Sequence, residues 1–445
     1  MKILWICNTV IPVIAEQVGL PVGNKEGWLS GMMDALLGHK PEEGRERPAL
    51  AVAYPVMPGT ASPDKIEVTV KGGSVTAYAF EEDITHPETY TPEIARKLAD
   101  RLIAIAEDFQ PDVIHCFGTE FPHTCAICEA YPRKERLLIS IQGLCKVCAD
   151  SYLANLPEYV VNRVTFRDLL RKDSLKQQQE KFVLRGEREL RSIRAAGNVS
   201  GRTQWDRHYT TLWNPDIIYH AMNETLREPF YRGAWDISQC EKHRIFVSQG
   251  DYPLKGLHYM LKALPKILAV YPDTTLYVAG NRINSVDGWK QKMKISSYGK
   301  YINELIRNNH LGKIVYFLGG QNAAQMKEQC LKSYTYVCCS TMENSPNSLG
   351  EAMLLGVPCV TSWVGGIPSL FTPEEDGLSY PGFGTGDEDE VADHLAEAVL
   401  KLWSDEDRMV RFGRQASAHA GVTHDREKNQ QRLLEIYEQI AGASQ

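Results

Sequence analysis

Two glutamates eight positions apart flank a short run of turn-forming residues. The chain reads ENSPNSLGEAMLLGVPCV from residue 343 to residue 360, which places Glu343 and Glu351 on either side of the run. The preceding YTYVCCS (334–340) is a candidate strand, and the run itself is a candidate helix start. In open α/β sheets, ligands bind beyond the carboxyl ends of the strands, where helix N-termini offer unpaired amides. The pattern therefore suits a ligand that carries both hydroxyl and phosphate groups.

The same glutamates also have purely structural interpretations. Ser348-Leu-Gly-Glu351 fits the capping box S-x-x-E, in which Glu351 bonds to the start of its own helix. Ser345-Pro346 fits equally well as an N-cap followed by a proline at the first helical position. Glu343 lies in the turn beyond the strand, where a carboxylate is either solvated or bound to ligand hydroxyls. The local pattern leaves these alternatives open.

Lys255 is a second candidate functional residue. It lies in YPLKGLHYMLKAL (252–264), at a predicted helix start, where the helix dipole disfavours a cation by about 0.3–1 kcal/mol. A lysine in that position is either an ordinary surface residue or a cation that binds phosphate. The glycine-rich turns FLGGQN (317–322) and VGGIPS (364–369) match neither G-x-G-x-x-G nor G-x-x-x-x-G-K-[ST]. This argues against a dinucleotide fingerprint and a P-loop.

The elements that must position these residues alternate between short apolar runs and longer helical patterns, which is typical of parallel α/β sheets. A polar stretch at 227–243 reads as a linker between two Rossmann-like halves. Predicted helices cover 91–109, 163–194, 257–270, 389–403 and 424–441. Predicted strands cover 2–7, 49–56, 75–80, 112–117 and 137–142 in the first half, and 244–249, 274–280, 313–319, 334–340 and 357–362 in the second.

Composition narrows the class of protein. With 445 residues the chain is long enough for two or three domains, and its net charge of −7 argues against nucleic-acid binding. The start, MKILWIC, reads as a buried strand rather than a signal peptide, and no run approaches the roughly 20 apolar residues of a membrane span. Eleven cysteines, an odd number, suit free thiols in a reducing cytoplasm.

Most of the region 244–440 resembles the nucleotide-sugar domain of GT-B glycosyltransferases. The resemblance is carried by FLGG, by ENSPNSLGEAMLLGVPCVTSWVGGIPSLF and by DGLSYPG, and it is closest to family 4, which includes capsular and lipopolysaccharide sugar transferases. It implies an α/β protein with two Rossmann-like domains that face a cleft. The implied N-terminal domain is 1–226, onto which a C-terminal helix within 421–445 packs back, and the nucleotide-sugar domain is 227–420.

The resemblance implies a role for each matching residue. Lys255 would neutralise the diphosphate as it leaves, Glu343 would bind hydroxyls of the transferred sugar, and Glu351 would bind the donor ribose. Such a preplaced cation stabilises the charge that develops on the leaving group. Backbone groups at the helix start would face the diphosphate. The further candidate donor-binding residues are Asn344, Asn347, Ser348, Leu349, Gly320 and Gly23.

The chain departs from the family pattern at one phosphate-binding position. Family members usually carry an arginine five residues before the lysine, where this chain has Gly250, and Arg282 in AGNRIN is a candidate substitute. In the first half, His123 and Gln142 are candidate acceptor-binding or cleft-lining residues, whereas His115, within its strand, is expected to be structural.

A rival signal comes from two C-x-x-C pairs. Cys125/Cys128 and Cys145/Cys148 have a spacing that would also suit zinc. However, a core strand separates the pairs and the family needs no metal, so the expectation is buried thiols and no metal or cofactor.

The region 163–207 is basic in an acidic protein, with twelve Lys or Arg residues against six Asp or Glu. It is either a solvated helical face or a docking surface for an anionic membrane or lipid-diphosphate acceptor.

The sequence therefore predicts a metal-independent retaining glycosyltransferase of the cytoplasm that is associated with the membrane if the basic region docks there. It would move a sugar from a nucleoside-diphosphate sugar to a glycan, lipid-linked or small-molecule acceptor, with no nucleic-acid partner. The alternatives are a GT-B sugar phosphorylase or hydrolase and a non-catalytic nucleotide-sugar-binding protein.

Overall fold

The chain forms two compact units, each built on a mainly parallel β-sheet. The computed structural model describes residues 1–22, 27–38, 47–284 and 293–442. Unit 1 comprises Met1–Val147, Phe182–Thr225 and His424–Gln445, and unit 2 comprises Cys148–Lys181 and Leu226–Thr423. The prediction of an α/β protein with two Rossmann-like domains is confirmed.

The sheet of unit 1 is centred on a strand that is buried on both faces. Ile3, Leu4, Trp5 and Ile6 are fully buried, as expected for the middle of a parallel sheet covered by helices on both sides. The strands are β1 (Lys2–Ile6), β2 (Ala49–Val56), β3 (Lys65–Val70), β4 (Gly73–Glu81), β5 (Val113–Phe117), β6 (Leu137–Ser140), β7 (Asn198–Gly201) and β8 (Ile218–Ala221). Their order is β3-β4-β2-β1-β5-β6-β7-β8, and β3 pairs antiparallel with β4.

The sheet of unit 2 has the doubly wound strand order. Its strands are β9 (Glu241–Val247), β10 (Thr275–Ala279), β11 (Val315–Gly319), β12 (Ser333–Cys338), β13 (Cys359–Ser362) and β14 (Gly377–Tyr380). They are parallel and follow the order β11-β10-β9-β12-β13-β14. The strand order reverses between β9 and β12, and ligands of such sheets bind at this switch point, beyond the carboxyl ends of the strands.

Helices connect the strands in both units. None of the helices in the described part of the chain has the length and apolarity that crossing a bilayer requires. The helices are Pro12–Val18, Gly27–Gly38, Pro92–Phe109, Pro122–Ala130, Cys145–Asp150, Glu158–Val161, Phe166–Arg171, Leu175–Ala195, Gln204–Trp213, Leu257–Leu268, Ser297–Asn308, Ala323–Lys332, Asn347–Leu354, Glu388–Trp403, Glu406–Thr423 and Arg426–Gly442. Short 3₁₀ turns occur at Lys134–Arg136, Glu228–Tyr231, Pro253–Lys255, Leu311–Lys313 and Ile367–Ser369.

The helix Arg426–Gly442 packs within unit 1. Leu433, Ile436, Tyr437 and Ile440 are buried in the same apolar cluster as Trp5. The Trp5 indole Nε1 donates to the Tyr437 hydroxyl at 2.9 Å, so the first strand and the last helix share a buried hydrogen bond.

Residues 148–181 belong to unit 2, whereas the sequence placed them in an N-terminal domain of residues 1–226. Leu156, Val160 and Leu175 lie in the apolar cluster that also contains the helix Leu257–Leu268. The hydroxyl of Ser297 donates to the Val160 carbonyl at 2.7 Å. Neither of these long-range contacts leaves a local pattern in the sequence, which explains the wrong assignment.

Three local predictions also need correction. The linker at 227–243 is packed against unit 2, since Phe230 is buried and the Trp235 Nε1 donates to the Ser333 carbonyl at 2.7 Å. The helix predicted over 163–194 is two helices, because Lys172 adopts a left-handed conformation with φ of 49°. Strand β3 was missed because Lys65, Glu67 and Thr69 make its sequence polar at every other position. Strands β7, β8 and β14 were missed as well.

We expect Asp168→Ala to loosen residues 148–181 from unit 2. The buried Asp168 carboxylate accepts from the backbone nitrogens of Thr165 and Ser297, both at 3.1 Å. Loss of a helix-capping interaction and of one buried acceptor costs about 2 kcal/mol. Hydrogen exchange should become faster at the start of Ser297–Asn308 and in 148–181, with unit 1 unchanged. The exposed Asp100→Ala is the matched control, and equal exchange in both variants would contradict the assignment.

Candidate functional site

Lys255 lies in the loop that follows β9, at the switch point of the unit 2 sheet. The short turn Pro253–Lys255 ends at Gly256, whose φ is +66°. A Cβ at Gly256 would lie 1.8 Å from the carbonyl oxygen of Cys339, so only glycine fits there. The loop after β9 therefore packs directly against the loop after β12. The helix Leu257–Leu268 begins after Gly256, at the residue where the sequence predicted its start, so Lys255 lies just before the helix.

Lys255 and Glu343 form a mostly buried ion pair across these two loops. The Lys255 Nζ lies 2.6 Å from Glu343 Oε1, and the side chains are 20% and 13% exposed. The Ser340 hydroxyl donates to the same Oε1 at 2.7 Å. Burial by itself disfavours the ammonium group, but the neighbouring carboxylate outweighs burial and raises the pKa of Lys255 above its ordinary value. Lys255 is therefore a permanent cation.

The backbone of Glu343 is fixed by the glycine-rich turn after β13. Gly365 has a φ of +54°, and a Cβ there would lie 2.0 Å from the carbonyl oxygen of Glu343. The Gly366 nitrogen donates to that same oxygen at 2.9 Å. Three loops thus converge on Glu343, and the VGGIPS turn serves to hold this glutamate in place.

The helix Asn347–Leu354 begins beside this pair. Its N-cap is Pro346, with no side-chain cap, so the capping box proposed for Ser348 and Glu351 is wrong. The Ser348 hydroxyl instead accepts from the hydroxyls of Ser248 at 3.1 Å and Tyr336 at 2.9 Å. This hydroxyl cluster ties the helix start to the ends of β9 and β12.

Glu351 is buried and paired with an arginine that the sequence did not identify. The Nε and Nη2 atoms of Arg227 donate to Oε1 and Oε2 of Glu351, both at 2.6 Å. The Glu351 side chain is 3% exposed and that of Arg227 is 32% exposed. Arg227 lies in the predicted linker. Its proximity in sequence to Phe230, which is buried, is the only feature that could have drawn attention to it.

The other predicted donor-binding residues of unit 2 are placed as follows. Asn344 is buried, while Gly320 and Arg282 are exposed, and Arg282 Nε lies 4.0 Å from a Cβ built at Gly319. At Gly250 a Cβ would lie 2.7 Å from a methyl group of Leu257, so a large side chain does not fit there. Asn347, Ser348 and Leu349 form the first turn of the helix. Gly23 lies outside the described residues.

Of the two candidates in unit 1, one lines a cavity and the other is buried. Gln142 lines a cavity at the carboxyl ends of β5 to β8. His123 is fully buried, with its Nδ1 2.7 Å from Glu82 Oε2 and its ring stacked on Phe121, so it does not line the cleft that the sequence suggested. His115 is also fully buried.

The two C-x-x-C pairs do not assemble a metal site in unit 1. All eleven cysteines are free thiols, and the Sγ atoms of Cys125, Cys128 and Cys145 do not converge. Within the described residues, the potential metal ligands that do converge are Glu120, Cys145 and Glu189, with ligand atoms within 4.8 Å of one another.

Both carboxylates of this group bind neighbouring protein groups, although Oε2 of Glu120 is buried without a hydrogen-bond partner among the described residues. Arg185 pairs with Glu120 at 2.9 Å, and the Thr119 hydroxyl and Lys146 nitrogen donate to Glu189. Burial, followed by the charge of Glu120, raises the pKa of Glu189 to about 8, so this carboxyl group holds a proton at neutral pH. We assign no metal to the group.

We expect Arg227→Met to destabilise unit 2. It leaves the buried Glu351 carboxylate without its cation, at a cost of about 2 kcal/mol after allowing for the partial exposure of Arg227. The double variant Arg227→Met/Glu351→Gln should recover much of this loss because the unpaired charge is gone. Urea unfolding of the four proteins in the cycle measures the coupling. Simple additivity of the two single changes would show that the pair contributes no coupling energy.

Comparison with known proteins finds a family that matches most of unit 2. Residues 231–419 match the family described as glycosyl transferases group 1. Spore coat protein SA of Bacillus subtilis is 24% identical over 188 residues, which are 42% of this chain and 46% of that protein. An uncharacterized glycosyltransferase of Methanocaldococcus jannaschii is 23% identical over 306 residues, 66% of this chain and 69% of that protein. The chain thus spans about half of the first relative and about two thirds of the second.

Solved structures share the fold over the whole chain. Sucrose-phosphate synthase from Thermosynechococcus elongatus has a TM-score of 0.66 at 16% identity and covers both chains fully. Anabaena HepE in complex with UDP-glucose has a TM-score of 0.61 at 16% identity, covering 99% of this chain and 100% of that one. The predicted GT-B fold is confirmed by this likeness. Residues 231–419 thus resemble the group 1 glycosyl transferases, within a chain whose fold is that of the solved structures above.

Proposed function

We propose that the protein moves a sugar from a nucleoside-diphosphate sugar to a glycan, lipid-linked or small-molecule acceptor with retention at the anomeric carbon. The proposal rests on one observation, the Lys255–Glu343 pair at the switch point between β9 and β12. This is where a doubly wound sheet binds its ligand, and the start of Asn347–Leu354 lies in the same place.

The charges of the site suit a departing diphosphate. The bond between the anomeric carbon and the diphosphate oxygen breaks, and the bond to the acceptor oxygen forms on the same face of the sugar. The acceptor proton passes to the departing diphosphate oxygen. Lys255 is charged, and the start of the helix Asn347–Leu354 carries the positive end of the helix dipole. Both stabilise the negative charge of the leaving group more than that of the bound donor. No metal is required for this step.

The two glutamates are proposed to bind hydroxyls of the donor. The Lys255 and Ser340 bonds both go to Oε1 of Glu343, so within the described residues Oε2 is left for a hydroxyl of the transferred sugar. Arg227 binds both oxygens of Glu351 and fixes the plane of this carboxylate beside the start of the helix. We assign the ribose hydroxyls to Glu351. Asn344 and Gly320 complete the proposed donor contacts, and Gly23 and Arg282 are kept as weaker candidates.

We expect Lys255→Met and Glu343→Gln to lower turnover at least about 100-fold, as the loss of a group that stabilises transition-state charge does elsewhere. The assay is release of nucleoside diphosphate from a panel of nucleotide sugars, with UDP-glucose first because HepE is solved with it. Lys262→Met is the matched control, since Lys262 forms a similar 2.7 Å pair with Glu388 in the same unit. Near-normal turnover in either site variant would refute the assignment.

Retention at the anomeric carbon is tested by a separate measurement. The anomeric configuration of the first-formed product, followed by proton NMR, should equal that of the donor, and inversion would exclude front-side displacement. Release of sugar phosphate from a glycan without any nucleotide would instead identify a phosphorylase.

We also propose that the protein contacts anionic membranes through an apolar patch of Val164, Phe166, Leu169 and Leu170. These side chains are 57%, 61%, 70% and 74% exposed, and the last three share one face of the helix Phe166–Arg171. Exposed large apolar side chains in a cluster mark an interaction surface.

The cations that suit the proposed membrane contact lie at one end of the basic region. Arg163, Arg185, Arg191 and Arg202 have carboxylate partners in Glu304, Glu120, Glu129 and Glu224. Arg171, Lys172 and Lys176 adjoin the apolar patch, are exposed and have no carboxylate partner among the described residues. Apolar side chains beside unneutralised cations fit an anionic lipid surface.

We expect the protein to float with anionic vesicles at low salt, and the triple change Phe166→Ser/Leu169→Ser/Leu170→Ser to abolish flotation. Val183→Ser/Leu184→Ser is the control, because these exposed apolar residues lie outside the patch. Absence of flotation at low salt, or flotation that survives the triple change, would refute the proposal.

A further inference from the structure

The Lys255–Glu343 ion pair has no net charge, although the site is proposed to stabilise a diphosphate. The ammonium lies 2.6 Å from the carboxylate, so much of its attraction for another anion is already compensated. A long cationic side chain does not fit at Gly250, where a Cβ would lie 2.7 Å from a methyl group of Leu257. A further hydrogen-bond donor close to Lys255 would therefore strengthen the site.

Tyr252 is held beside Lys255 by a turn of the backbone. The Lys255 nitrogen donates to the Tyr252 carbonyl at 3.0 Å, which closes the turn Pro253–Lys255. The Leu254 carbonyl, in the middle of this turn, accepts from the Thr341 nitrogen at 2.8 Å, in the loop after β12. The relative positions of Tyr252 and Lys255 are thus set by backbone hydrogen bonds.

The side chains of Tyr252 and Lys255 also contact each other. The Lys255 Nζ lies 5.8 Å from the centre of the Tyr252 ring, which is within the range of a cation–π contact. Burial raises the pKa of Tyr252, the Lys255 ammonium opposes this rise, and the Glu343 carboxylate adds to it. The phenol is therefore protonated at neutral pH, and it lies within the electrostatic reach of both members of the ion pair.

The Tyr252 hydroxyl is a donor that the protein does not use. It makes no hydrogen bond to any residue that the structure describes, whereas the Tyr336 and Ser340 hydroxyls of the same site donate to Ser348 and Glu343. Tyr252 is partly exposed. A phenol O–H is a good hydrogen-bond donor, so this group is available to a ligand that contacts Lys255.

We propose that Tyr252 is a further residue of the donor site and that its hydroxyl donates a hydrogen bond to an oxygen of the donor diphosphate. The inference rests on the proposed function, since it adds a group to the same site. Tyr252 donates the hydrogen bond and keeps its proton, so the acceptor proton still passes to the departing diphosphate oxygen. Because the oxygen is charged, this bond is about twice as strong as one between neutral groups.

Affinity for nucleoside diphosphates tests the contact. The probes are UDP, GDP and ADP, each compared with its nucleoside, by calorimetry and ligand-observed NMR on the full chain. Tyr252→Phe should weaken the diphosphate that binds about tenfold, the equivalent of one hydrogen bond to a charged group, and should leave the affinity for the nucleoside unchanged. The thermal melt should not shift, because the hydroxyl has no partner in the described part of the protein.

Tyr271→Phe is the matched control. Tyr271 is another partly exposed tyrosine of unit 2, but it precedes β10 and so lies at the amino end of that strand, away from the end where ligands bind. Its ring packs against His243 and Trp403. Removal of its hydroxyl should leave the affinity for the diphosphate unchanged.

Turnover shows whether the bond also acts as the diphosphate departs. The departing diphosphate gains negative charge, so the bond should strengthen in the transition state and kcat should fall about tenfold in Tyr252→Phe with a smaller change in KM. A raised KM with an unchanged kcat would overturn this role in the departure.

The remaining outcomes separate this inference from the proposed function. Equal diphosphate affinity in wild type and Tyr252→Phe would refute the inference, and so would an equal loss of affinity for diphosphate and nucleoside. In both cases, diphosphate binding that Lys255→Met abolishes would leave the proposed function standing. A wild-type protein that binds none of the three diphosphates would refute the proposed function and the inference together.

Discussion

The candidate donor site depends on the close approach of two loops that leave neighbouring strands of the unit 2 sheet. Gly256 has to be glycine because the Cys339 carbonyl occupies the space of a side chain. That approach brings Lys255 within reach of Glu343, and the ion pair then joins the ends of β9 and β12. The Gly365 turn fixes Glu343 from a third strand. Charge placement in the site thus follows from backbone packing, which is how a binding site becomes preorganised.

The two glutamates are held by different means. The Lys255 ammonium binds one oxygen of Glu343, whereas the planar guanidinium of Arg227 binds both oxygens of Glu351. A bidentate guanidinium fixes the plane of a carboxylate, which a lysine does not do. The plane of the Glu351 carboxylate is therefore set by the protein, whereas Glu343 is held through one oxygen.

Apolar periodicity and turn residues were enough to predict the class of fold and ten of the fourteen strands in the described residues. The polar edge strand β3 lacked that signal, and the packing of residues 148–181 on unit 2 depends on contacts far apart in sequence. Lys255 and Glu343 could be selected because each follows a strand. Arg227 could not, since its position beside Glu351 is set by the tertiary fold. The burial of His123 likewise depends on Glu82, 41 residues away.

The hydrogen bond between Trp5 and Tyr437 joins residues 432 positions apart. During synthesis on the ribosome, the strands of unit 1 emerge before unit 2, but the helix that packs beside β1 is made after unit 2. Unit 2 can complete its own core before then, because its last residue, Thr423, precedes that helix. Unit 1 therefore exposes an apolar face during synthesis until this helix is made. Folding intermediates with such exposed apolar surface are the ones that chaperones protect.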